Sequence, residues 1–174
     1  MNLKALIGDS IEYNYAVAEK LMDLVEDDQL GWKPETGDNW MTTGQLLMHI
    51  ATACGSPMRG FVTGDWGMPE DFDPRELKPE DMLPPAEKLP AMGSVAEAKS
   101  LLAEDKKLAL AMLDQCSEEE LATKPAPAPW DNCNVTLGRR LLEMIHHLGS
   151  HKDQLFYYLK LQGHPVNTHH KWGM

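Results

Sequence analysis

Two histidines four residues apart, His147 and His151, are the residues of this chain best suited to chemistry. On a helix turning about 100° per residue they project from one side, the spacing at which two imidazoles can grip a single metal ion. His146 lies about 100° away and should face elsewhere. A third histidine, His49, stands beside Leu46, Ile50 and Ala53 on an earlier apolar segment. If the two segments face each other across a helical core, His49, His147 and His151 form a three-histidine site with coordination positions left open. The plainer reading is two surface histidines and a satisfied core-margin histidine, because spacing alone does not bring the segments together. Gln154, three residues after His151, suits either a supporting contact to a ligand imidazole or an ordinary surface position.

Helical periodicity supplies the elements that would position these residues. A first amphipathic segment runs from about Leu3 to Val25. A second starts at Thr42 or Thr43, good N-cap residues, and should reach Gly55 or beyond, with Pro57 as a kink or an end. A third opens with Ser94 and Glu97, a capping-box spacing, and runs to about Gln115. Ser117 and Glu120 repeat that spacing ahead of a short helix, and Lys124 to Pro129 should be extended. The fourth long helix starts at Thr136 and ends near Gln162, with Gly163 and Pro165 as stop signals. Its apolar face is Leu137, Leu141, Met144, Ile145, Leu148, Leu155 and Leu159. Between helices 2 and 3, residues 57–93 hold seven prolines, a density that excludes a long helix. This long loop should cover one end of the bundle, anchored by Phe61, Trp66, Phe72 and Leu77, with a short helix near Glu80-Asp81-Met82. The expectation is one all-α domain over residues 1–174, a four-helix bundle with no sheet.

Composition narrows the function classes. A net charge of −11, from 16 basic and 27 acidic residues, repels phosphate backbones and argues against nucleic acid. No apolar run suits a membrane span, and the start Met1-Asn2-Leu3-Lys4-Ala5 lacks the order of a signal peptide, so a cytoplasmic protein is expected. Three scattered cysteines, Cys54, Cys116 and Cys133, form neither a disulfide framework nor a zinc knuckle. The 11 methionines are scattered enough to read as core filler. Trp40, Trp130, Tyr157 and Tyr158 read as core or loop anchors, with a pocket mouth as the alternative. The histidine-rich end, His164 to Trp172, should lie along the bundle.

These motifs carry a resemblance. Leu46-Leu47-Met48-His49-Ile50 after Trp40 and Thr42-Thr43, and Thr136-Leu137-Gly138 followed by His147, His151 and Gln154, resemble the second-helix and last-helix motifs of the DinB-like (YfiT-related) superfamily. Trp130 and Lys160-Leu161-Gln162-Gly163 agree with it. The resemblance implies an up-down-down-up four-helix bundle, a nickel or zinc ion on His49, His147 and His151, and a homodimer. It also implies a small-molecule chemistry of transferases or isomerases that use a low-molecular-weight thiol such as bacillithiol or mycothiol. An open ion able to activate a bound thiol or water makes a metal-dependent thiol transferase or hydrolase the expectation here. A ligand-binding or stress-response module without turnover is the alternative. The family's last motif commonly reads His-Arg-Gly-Gln, and this chain has His151-Lys152-Asp153-Gln154 instead. No carboxylate stands in either motif as an obvious general base.

Overall fold

The computed structural model describes residues 2–68, 85–129 and 133–174. Among them the chain is all-helical, and the single β feature is an isolated antiparallel bridge between Pro125 and Thr136. The helices are α1 (Leu3–Met22), α2 (Thr43–Ile50), α3 (Gly55–Thr63), α4 (Val95–Asp114), α5 (Glu118–Thr123), α6 (Leu137–Leu161) and α7 (Thr168–Trp172). Helix α1 packs on α4 and α6, α3 packs on α4 and α6, and α2 packs on α6.

The helix starts follow from their capping residues. Thr42 accepts from the Gln45 N–H while the Gln45 side chain accepts from the Thr42 N–H, a complete capping box. Ser117 and Glu120 close another. Two expected caps differ. Ser94 accepts from the Glu97 N–H, but the Glu97 carboxylate reaches the Gly93 N–H rather than that of Ser94. Thr136 holds the N-cap position of α6 without a side-chain cap bond, and the Leu137 N–H donates to the Lys124 carbonyl at 2.8 Å instead. The extended 124–129 segment thus takes over part of the cap. At the far end of α6, Gly163 adopts φ +89° and closes the helix as anticipated.

The second helix departs most from expectation. It stops at Ile50, four residues turn, and α3 restarts at Gly55 with Pro57 inside its first turn. Proline is tolerated there because a first-turn N–H has no intrahelical partner to lose. The restart is driven from another element. The carboxylate of Asp105, on α4, accepts from the N–H groups of Cys54, Gly55 and Ser56 at 3.4, 2.8 and 2.9 Å. It caps α3 across space and satisfies the donors a broken helix exposes. Gly55 permits this approach, since a Cβ there would lie 2.1 Å from the Asp105 carbonyl oxygen.

Residues 57–63, expected as loop, are therefore the body of α3. Phe61 is buried and stacks edge-on against Trp66, as their role as anchors required. Phe72, Leu77, the short helix near Glu80-Asp81-Met82, and Trp130 lie outside the described residues. The returning segment docks on α2, where the Gln45 side chain donates to the Ala86 and Leu89 carbonyls at 2.7 and 2.9 Å.

The core between these helices is built from Ile7, Ile11, Leu21, Leu46, Ile50, Leu141, Leu148 and Leu159, all buried. Met22, Met58, Met92 and Met112 are also buried, consistent with core filling. Cys54 and Cys116 are buried thiols. The C-terminal α7 lies against α1, with the Tyr13 hydroxyl donating to the Trp172 carbonyl. No described helix is long and apolar enough to cross a membrane.

Candidate metal centre

His147 and His151 lie on the flank of α6 beside its buried stripe of Leu141, Ile145, Leu148, Leu155 and Leu159. That flank meets α2, which carries His49 in its last turn. The three imidazoles converge. Taking one ring nitrogen from each, the three atoms lie within 4.8 Å of one another. The Nε2 atoms of His49 and His147 are 3.1 Å apart. Ring centroids are 4.2 Å apart for His49 and His151, 4.8 Å for His147 and His151, and 5.0 Å for His49 and His147. All three rings are partly buried, whereas His146 is exposed, as its angle on the helix required.

Burial and mutual proximity decide the charge of this cluster. Burial first, then the neighbouring His151 and His147, lower the pKa of His49 to about 4. Burial is also the largest cause of the downward shifts of His147 and His151. Near neutral pH the rings are neutral, and one nitrogen of each faces a common region of space. That is the donor set of a divalent transition ion, which binds neutral imidazole.

Two of the rings meet further groups. His151 Nδ1 lies 3.0 Å from the Gln154 Oε1. His147 turns Nε2 toward His49, and the Ala53 carbonyl beside its ring works against the burial that lowers its pKa. That carbonyl is free for a local reason: in an unbroken helix it would await the N–H of residue 57, which is proline and has none. An acceptor behind a ligand histidine fixes the ring and its tautomer, a recurring feature of metal sites. On an all-protein donor set of this kind the residues present fit a resident metal ion.

A family comparison agrees with this geometry: the model of the DinB superfamily matches residues 10–155. The chain belongs to the DinB superfamily. The match takes in α2 and α6 as far as residue 155, and so all three histidines. No curated protein and no solved structure matches the chain.

The departure of this DinB-superfamily chain from the common last-helix motif has a structural counterpart. Lys152 is buried and its ammonium pairs with Asp153 at 2.9 Å. Asp153 also pairs with Lys171 of α7 at 3.4 Å. The Lys152-Asp153 pair neutralises a buried cation and ties the C-terminal helix to α6.

Among the aromatics, Tyr158 is buried, edge-on to Trp32 and Trp40. Trp40 and Tyr157 are exposed rather than anchored in the core. With Pro34, Gln154, Tyr158 and Leu161 they line a largely apolar cleft of about 480 Å³. Asp105 is the polar residue that sequence reasoning passed over. It accepts from Tyr15 Oη at 2.7 Å and from Ser56 Oγ at 3.2 Å in addition to its three backbone donors. A signal was available: Asp105 interrupts the stripe Ala98, Leu102, Ala109 and Met112, every other member of which is buried.

Proposed function

We propose that this protein holds a divalent metal ion, nickel or zinc, on His49, His147 and His151, and uses it on a small molecule. The observation that carries the reading is the convergence of three partly buried imidazoles, neutral near pH 7, from two different helices. An ion held this way acts as a Lewis acid and lowers the pKa of a water or thiol. The chain's own part is to keep three lone pairs aimed at one point, exclude water from one side with the α2–α6 core, and leave coordination positions open.

Three histidines without a carboxylate in the described cluster favour a reaction whose nucleophile needs no protein base. A transferase using a low-molecular-weight thiol satisfies that condition, and a hydrolase is the neighbouring class. We infer further that the helices form the family's four-helix bundle, built on α1, α2 with α3, α4 and α6, acting in the cytoplasm as a homodimer.

Elemental analysis of untagged protein beside His49→Ala and His151→Ala tests the site. About one ion per chain, lost in both variants, is the expected result. Background metal in all three would overturn it. Incubating the loaded protein with bacillithiol and monobromobimane tests the chemistry. A rate equal to the protein-free control removes the transferase, and tight thiol binding without product turns the reading to a ligand-binding module.

A further inference from the structure

The orientation of His151 is set by a chain of hydrogen bonds that ends on the main chain of another segment. The Tyr158 hydroxyl donates to the Met41 carbonyl at 2.9 Å. A carbonyl can only accept, so the phenolic proton is committed to it and the Tyr158 oxygen offers lone pairs in the other direction. The Gln154 side chain answers with its NH2 group, Nε2 donating to Tyr158 Oη at 3.3 Å. That turns Gln154 Oε1 toward His151 Nδ1, 3.0 Å away, and an amide oxygen can only accept. Each link leaves the next a single choice, and the last choice is a proton on Nδ1 and a lone pair on Nε2.

We propose that Gln154 and Tyr158 are positioning residues that hold His151 in its Nδ1–H tautomer, with the Nε2 lone pair left for the three-histidine centre. The chain also joins the two elements that supply the ligands. Gln154 and Tyr158 lie on α6 with His147 and His151, and Met41 directly precedes Thr42, the cap of the helix that carries His49. Tyr158 is held on its other faces by Trp32 and Trp40, so its hydroxyl has little freedom to turn away. The inference rests on the metal reading for its purpose but not for its test.

The test uses the full-length, metal-free protein labelled with 15N-histidine. Long-range 1H–15N correlation reads the protonated ring nitrogen of His151 directly. The wild type should show Nδ1–H. Tyr158→Phe keeps the ring and removes only the hydroxyl, freeing the Gln154 amide to flip, and should give a mixture of tautomers. Gln154→Leu should abolish the preference, and Gln154→Glu, which keeps an acceptor beside Nδ1, should restore it. Cobalt(II) titration is the second readout: affinity should fall about 10- to 100-fold in Gln154→Leu, with a changed visible absorption band. The fall should be smaller in Tyr158→Phe and absent in Gln154→Glu. An Nε2–H tautomer in the wild type would overturn the proposal. So would a Gln154→Leu protein that melts earlier yet keeps the wild-type tautomer. If the wild type takes up no cobalt, the metal reading fails, and the tautomer measurement still decides the positioning role.

Discussion

Asp105 and the three histidines are both polar groups placed where helices meet, and their hydrogen bonding is opposite in kind. Five donors converge on the Asp105 carboxylate, from Tyr15, Cys54, Gly55 and twice from Ser56. Its acceptor capacity is used, its neighbours are closed around it, and nothing is left to offer a ligand. At the other cluster three neutral rings turn one nitrogen each toward a common region, and the Gln154 side chain meets His151 at its other ring nitrogen. A saturated polar cluster serves the fold, and a cluster with its valence turned inward is a place for a cation. The two also differ in their titration. Burial pushes the thiol of Cys54 up to about 12 and raises the phenol of Tyr15, keeping both neutral beside Asp105. At the other cluster burial lowers the histidines and keeps them uncharged.

The contrast can be broken most sharply at Asp105. Asp105→Ala strips the cap from α3 and leaves buried donors unpaired, an expected loss of about 3–5 kcal/mol. Chemical denaturation would show it as a large drop in midpoint. Full stability in this variant would mean that the cluster is not what holds α3. Tyr15→Phe removes one of the five donors while keeping the ring, and should lose roughly 1.5–3 kcal/mol, the range for a hydrogen bond to a charged group.

The histidine cluster should respond to acid. The folded pKa values lie below the unfolded value of about 6.5, so the unfolded chain takes up protons first. Stability of the metal-free protein is therefore full above about pH 6.5 and declines as pH falls toward about 4, the value for His49. Urea midpoints across that range, compared with a His49→Ala variant of flatter profile, would check it. A wild-type profile as flat as the variant's would contradict the lowered values.

The smallest stability effect is expected from His147→Ala. The ring is only partly buried, and its removal relieves crowding at the cluster, so the metal-free midpoint should shift by less than about 1 kcal/mol. Metal uptake should fall to background in the same protein. A stability loss as large as that of Asp105→Ala would erase the distinction between the two clusters.

Much of this arrangement is legible before folding. The i,i+4 pair on α6, the Thr42 and Ser117 caps, and the Gly163 stop are local, because helix periodicity and capping depend on residues within about one turn. His49 could be nominated but not joined to the pair, since 98 residues separate it from His147. The break between α2 and α3 was hidden for the same reason: its cap, Asp105, sits about 50 positions away in sequence, within a run of charged residues that reads as a solvated face.

What the amino-acid sequence determined by itself is helical content, the faces of the helices, and the residue types able to bind a metal. Tertiary structure alone decided that α2 meets α6 at His49, that Asp105 caps α3 from α4, and that Tyr158 and Gln154 line up behind His151. Periodicity is a property of neighbours along the chain, whereas a ligand set and its hydrogen bonds depend on which helix faces another across the core.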